Sequence, residues 1–176
     1  MNLSELENYL ANEKTPPVHL WQPEHCGEID IRIDRDGRWY HHGTEIRRDA
    51  LVRLFASVLL KEGQDYYLIT PVEKVRIQVD AEPFCLVDAQ QIEGAWVFTE
   101  RLGQQVILDQ QHPLFYHENK KGEPYPTLLF RQNLSALIHR NLFYHLLEQA
   151  ELGIDENGTN RWLLTSKGER FLLASA

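Results

Sequence analysis

Three groups of residues have side chains suited to chemistry. His41 and His42 stand side by side in "GRWYHHG", with His25-Cys26 upstream, and imidazole and thiolate are zinc ligands by type. No spacing among them matches a zinc motif, and successive strand residues face opposite sides, so His41 and His42 are expected to diverge. No metal is expected. Asp34-x-Asp36-Gly37 has the centre of a calcium loop, but that loop would begin at Arg32 and end at Gly43, where oxygen ligands are required. The third group is cationic. Arg47-Arg48 and His139-Arg140 fall near the expected starts of two helices, where a cation is disfavoured by roughly a few tenths of a kcal/mol or more. Either carboxylates such as Glu45, Asp49 and Glu73 balance them, or an anionic ligand does, gripped by planar guanidinium forks.

Catalytic motifs are missing. The chain has no GxSxG elbow, no HExxH, no Walker A sequence and no GxGxxG after a strand. A non-enzyme is therefore favoured, and a hydrolase built from His and Asp groups, acting on a phosphorylated or acyl compound, is the alternative. Trp39, Tyr66, Tyr144 and Trp162 read as core residues before they read as stacking platforms.

The elements that must position these groups belong to an ordinary globular chain: 176 residues, 43% hydrophobic and 25% charged. Lys and Arg total 18 against 26 Asp and Glu, a formal charge of −8, which argues against a general nucleic-acid binder. Cys26 and Cys85 are too few for a disulfide framework. No run approaches the ~18 apolar residues of a membrane span, and the acidic start "MNLSELENYLANEKTPP" does not read as a signal peptide. A cytoplasmic protein is the expectation; its oligomeric state is not legible.

Residues 1–15 read as a helix and linker, with Leu3, Leu6 and Leu10 at helical spacing, Asn2 as cap, Glu5 three residues on, and Pro16-Pro17 as the stop. "GEIDIRIDRDGRWYHHG" alternates around Asp36-Gly37, which predicts a two-residue hairpin with Ile29, Ile31 and Ile33 inward. A helix follows with Leu51, Leu54, Phe55, Val58 and Leu59 as its stripe and Gly63 as its end. "DYYLITP" and "EKVRIQVDA" are strands, and several short strands run from Pro83 to "TLLFRQ". Asn133 is expected to cap a long helix to residue 151, with Leu134, Ile138, Phe143, Leu146, Leu147 and Ala150 on its inner face. "NRWLLTS" and "ERFLLA", turned by Lys167-Gly168, close the chain.

"IRRDALVRLF" from Ile46 matches "IHRNLFYHLL" from Ile138 at Arg48/Arg140 and Asp49/Asn141, and "YYLIT" matches "RWLLT" after each. The fold class expected is α+β: two related repeats of antiparallel strands plus one helix each, residues 16–82 and 83–176.

The blocks "GEIDIRIDRDGRWYHHGTEIRRDALVRLFASVLL", "YYLITPVEKVRIQVD", Pro83-Phe84, "HPL" from His112 and "PYPTLLFRQNLSA" occur in order. With them the chain resembles the bacterial family known as domain of unknown function 1285, over roughly residues 16 to 172. The resemblance implies a duplicated core whose C-terminal half is pleckstrin-homology-like, though the strand pair after the second helix departs from that pattern. It also implies a role in signal transduction with a small anionic, nucleotide-like ligand between the halves. It carries no catalytic residues and no known cofactor. Its pocket positions are Trp39, Arg48, Lys74, Arg131 and Arg140. A protein-interaction module using an exposed sheet edge is the remaining alternative.

Overall fold

The computed structural model describes residues 3–12 and 14–176. Two compact units form, Glu13–Pro83 and Phe84–Ala176, the latter joined by the N-terminal residues to Asn12. Helix α1 (Leu3–Asn12) is where the leucine spacing predicts it; the cap Asn2 and the side chains of Leu3, Leu6 and Leu10 lie outside the described residues. Glu7 of α1 meets Lys167 of the C-terminal unit at 2.6 Å. No helix among the described residues is long and apolar enough to cross a membrane.

In the N-terminal unit a 3-10 turn at Val18–Leu20 leads into β1 (His25–Ile33), β2 (Trp39–His41), β3 (Thr44–Glu45), helix α2 (Asp49–Ser57), β4 (Leu59–Glu62), β5 (Asp65–Ile69) and β6 (Glu73–Val79). The sheet order is β3-β2-β1-β6-β5-β4. Its middle pair, β1 and β6, is parallel, which corrects the expectation of purely antiparallel strands. Helix α2 is the crossover that makes a parallel return feasible, because hairpin turns alone only reverse the chain. Ile31, Ile33, Trp39, Leu59, Leu68 and Ile77 form the core with Val52 and Ala56 of α2.

The helix ends earlier than its stripe suggests. Leu54 is 60% exposed, Leu59 belongs to β4, and Gly63 turns a hairpin instead of ending a helix. Val52 and Ala56, four apart, are the positions α2 buries.

The C-terminal unit runs β7 (Phe84–Ile92), β8 (Ala95–Glu100), β9 (Gln105–Ile107), β10 (Leu114–Phe115), β11 (Thr127–Arg131), β12 (Leu134–Ile138), α3 (Arg140–Gln149), β13 (Glu151–Ile154), β14 (Asn160–Ser166) and β15 (Glu169–Ser175). One sheet has the order β10-β11-β12-β7-β8-β9, again with a central parallel pair, β12 with β7; the other is the meander β13-β14-β15. The two sheets meet at Ser166, which is fully buried. Its hydroxyl donates to the Leu108 carbonyl at 2.7 Å and accepts from the Trp96 amide at 2.9 Å.

Two expectations fail in this unit. Asn133 caps no helix: Gln132-Asn133 is a hairpin turn, Leu134–Ile138 is a strand, and α3 starts at Arg140 with His139 as its N-cap. The spacing of Leu134 and Ile138 suits a helical face and a strand face equally, and pairing with β11 and β7 makes it a strand, which buries Leu134, Ala136, Leu137 and Ile138. The helix expected to run to residue 151 ends at Gln149, and Glu151 already begins the strand β13.

The repeat holds only locally. A strand, a helix, and then a three-stranded meander occur twice, with "YYLIT" and "RWLLT" both in the middle strand. The sheets connect differently. In the N-terminal unit the meander joins β1 through β6, whereas in the C-terminal unit it is a sheet of its own.

One loop design does recur through the molecule. Asp34, Glu100, Asn119 and Asp155 each open a three-residue loop closed by a glycine at positive φ, and each accepts, through its side chain, from the amide four residues on. In each the opening residue's own amide donates to the carbonyl at the same distance. Asp36-Gly37 is thus the end of a three-residue loop and not a two-residue turn; the glycine supplies the left-handed position such a bulged loop needs.

Candidate functional site

Val75, Ile77 and Val79 turn towards the core, so Lys74, Arg76 and Gln78 of β6 point to the other face. The register then sets their neighbours. Tyr40, Arg32 and Gln78 lie in one row across β2, β1 and β6. Glu28, Arg76 and Tyr67 make the next row, and Cys26, Lys74 and Ile69 the third. Three cations and two tyrosines thus share the outer face of the N-terminal sheet.

Each cation is anchored. Arg32 donates to Asp80 at 2.5 Å, Lys74 to Glu62 at 2.5 Å, and Arg76 to Glu28. The Arg32 guanidinium also lies 4.7 Å from the Tyr40 ring centroid, and the Lys74 ammonium 4.4 Å from that of Tyr67. The hydrogen bond from Lys74 to Glu62 holds its ammonium above the ordinary pKa, against a smaller opposing effect of burial. Tyr40 donates to Asp34 at 3.0 Å, and that bond, with burial and the Asp34 charge behind it, raises the phenol's pKa. Asp80, Glu62 and Glu28 match the three cations one for one, and Asp34 adds a fourth carboxylate beside Tyr40.

The expected pocket residues distribute as follows. Trp39 is 2% exposed, its ring stacked 6.1 Å from Phe55, so it is a core residue. Lys74 stands at the other end of the sheet from Trp39, and on the opposite face. Arg48 is the N-cap of α2; it is exposed, with no side-chain cap bond, and its guanidinium makes no ion pair among the described residues. Arg131 ends β11 with its guanidinium 5.3 Å from the Phe84 ring. Arg140 begins α3, and its Nε donates to the Tyr144 hydroxyl at 3.2 Å, which raises its already high pKa. Arg131 and Arg140 flank opposite ends of β12, whose five residues put them roughly 16 Å apart at a strand rise of ~3.3 Å.

Of the carboxylates expected near the helix starts, Glu45 meets Arg47 at 3.6 Å, while Glu73 faces His25 at 3.8 Å. Arg32, Arg76, Tyr40 and Tyr67 were not singled out by motif. The signal for them was the complement of the apolar alternation: whatever β6 does not bury, it displays.

The histidines do not diverge as expected. His42 sits at φ 48 in the turn before Gly43, and this swings its ring to 4.1 Å from that of His41. It lies 3.3 Å from Asp30, and both rings are exposed. Among the described residues no group of three or more His, Cys, Asp or Glu is placed to hold a metal ion. The half-buried pair His112 and Asp109, 3.2 Å apart, has the composition of a catalytic dyad. The same Asp109 oxygen accepts the amides of Gln111 and His112, so it serves its own turn. Cys26 and Cys85 are both free thiols, the first exposed and the second buried.

Comparison with known families matches residues 16–82 to "Domain of unknown function (DUF1285), N-terminal domain" and residues 83–173 to "Protein of unknown function (DUF1285), C-terminal domain". Among solved structures, the chain is similar to a DUF1285 family protein from Silicibacter pomeroyi DSS-3. The two share 39% identity with a TM-score of 0.81, over 97% of this chain and 94% of that one. A DUF1285 family protein from Shewanella baltica OS155 shares the fold at 24% identity and a TM-score of 0.56, over 69% of this chain and 92% of that one. No curated protein matches the chain.

Proposed function

We propose the following for this chain, which belongs to the DUF1285 family: it is a non-catalytic regulatory module that binds a small anionic, nucleotide-like compound. The carrying observation is the outer face of the N-terminal sheet, where Arg32, Lys74 and Arg76 are pre-oriented beside Tyr40 and Tyr67. Exposed ion pairs contribute only about 0–1 kcal/mol each. A phosphate brings more charge and three acceptor oxygens, so it can take over a guanidinium fork from a single carboxylate. A planar ring can stack on a tyrosine in the same step.

Arg48, the N-cap of the core-packed helix α2, and Arg140, which belongs to the other unit, are not residues of this face and serve as controls for it. The curled C-terminal sheet followed by a helix supports a pleckstrin-homology-like assignment for the second half. The three strands after α3 are its departure from that pattern.

The test is ligand-dependent thermal stabilisation across nucleotides and phosphorylated metabolites, comparing wild type with Arg76→Ala, Lys74→Ala, Arg48→Ala and Arg140→Ala. A charge-assisted hydrogen bond contributes ~1.5–3 kcal/mol, so Arg76→Ala should weaken binding roughly ten- to a hundredfold. A wild type stabilised by no compound overturns the reading. Equal responses from the Arg76→Ala and Lys74→Ala variants would remove the site from this face.

A further inference from the structure

Two rows of the outer face of the N-terminal sheet carry the same two groups in opposite order. In one, Tyr40 of β2 is followed by Arg32 of β1; in the next, Arg76 of β6 is followed by Tyr67 of β5. Ring, guanidinium, guanidinium and ring therefore follow one diagonal across the four adjacent strands β2-β1-β6-β5. With strands ~4.8 Å apart and rows ~6.6 Å apart, the two arginine positions are about 8 Å apart and the two tyrosine positions about 16 Å apart. Both tyrosines are half-buried, and each ring already has a cation beside it, Arg32 at Tyr40 and Lys74 at Tyr67.

A mononucleotide uses only half of this diagonal. If its base stacks at Tyr40 and its phosphates meet Arg32, Arg76 and Tyr67 stay unengaged. A ligand with a ring at each end and phosphates midway engages all four groups at once. The carboxylates narrow the class further. Glu28, Glu62 and Asp80 pair with the cations, and Asp34 accepts from Tyr40. Four carboxylates repel a bare polyphosphate, but they suit a ligand that also carries ribose hydroxyls, which donate to such groups in dinucleotide sites. Glu28 is central among them, beside Arg76 and one row from Arg32.

We infer that the ligand of this face is a dinucleotide, with its bases stacked at Tyr40 and Tyr67 and its phosphate bridge held by Arg32 and Arg76. Its ribose hydroxyls bond to the carboxylates that the arginines release. The inference rests on the anion-binding reading of the same face and names its ligand class. Single-stranded RNA offers the same bases and sugars. Its affinity, however, comes from many neutralised phosphates, and this chain has a formal charge of −8.

Titration calorimetry of the intact protein with diadenosine diphosphate and with ADP tests the inference, since both carry a diphosphate and they differ by one adenosine. The dinucleotide should bind about tenfold more tightly or better, the effect of one further stacked base. Tyr40→Leu and Tyr67→Leu should each erase that advantage. Each should change the ADP affinity by about twofold or less, because a single base can use the ring that remains. Tyr40→Phe and Tyr67→Phe keep the rings and should keep the preference, which decides the matter if a leucine variant fails to fold. ADP bound as tightly as the dinucleotide overturns the inference and leaves the anion-binding reading standing. Binding of neither compound also overturns it, and the anion-binding reading falls with it only if no phosphorylated compound stabilises the wild type. A ribo-oligoadenylate that binds more tightly than the dinucleotide overturns it as well, because the face would then belong to RNA.

Discussion

Ser166→Ala should lower the unfolding free energy by about 2–4 kcal/mol, measured by urea titration. Two backbone groups depend on that hydroxyl, the Trp96 amide and the Leu108 carbonyl, in a site closed to water. Stranding a buried donor or acceptor costs ~1–3 kcal/mol each, far more than a hydrogen bond contributes net. Ser166→Thr, which keeps the hydroxyl and adds a methyl to a filled site, separates the two causes: overpacking costs ~1–3 kcal/mol and leaves the amide bonded. If alanine proves nearly neutral, water or backbone movement satisfies both groups and the hydroxyl is not what joins the two sheets.

Raising the pH past 10 should destabilise the N-terminal unit through Tyr66. Burial, with the nearby Glu82 charge as a second cause, pushes this phenol up to about 12. Since the folded-state value lies above the unfolded value of 10, the stability it confers is fully present below pH 10 and is lost as the pH climbs through 12. Two units correspond to about 2–3 kcal/mol. Tyr116 moves the same way, to about 12, through burial first and its bond to Glu118 second. Lys74 and Lys167, raised by Glu62 and Glu7, add to the same alkaline limb. Tyr66→Phe isolates the largest contribution: its stability should decline less steeply between pH 10 and 12, with one fewer late-titrating phenol in the ultraviolet spectrum. A variant as steep as wild type would mean that Tyr66 ionises without loss of the fold.

What the sequence disclosed follows from which signals are local. Alternation at Ile31, Ile33, Val75, Ile77 and Val79 placed the N-terminal strands, because a half-buried strand must show a period of two. Lys167-Gly168 placed the last hairpin, because both residues take positive φ there. The stretch "LSALI" was misread because five residues are too few to separate two periods when Leu134 and Ile138 satisfy both. The helix after it made the longer reading tempting. The stripe on α2 was misread for a related cause: Val58 and Leu59 continue the helical spacing into a strand, and only the sheet decides that Leu59 belongs to β4. Pairing between β1 and β6, or β12 and β7, leaves no trace at the level of spacing, since partners some fifty residues apart are chosen by the whole sheet. The candidate site shares that character. Lys74 was singled out alone, but the face that makes it useful is assembled from β1, β2, β5 and β6 and could not be read from any one of them.

The parallel pairing of β1 with β6 has a mechanical consequence. The chain enters the N-terminal sheet at the start of β1 and leaves it past the end of β6, and these two strands are neighbours running the same way. A pull on the two ends of this unit therefore drags the strands past each other along their length. Every hydrogen bond between them, and the Arg32–Asp80 and Arg76–Glu28 pairs that cross the same region, is loaded at once in shear. An antiparallel end pair would instead be peeled open one bond at a time. The unit is built to resist tension along the chain, with its weakest direction turned away from the line through its own ends.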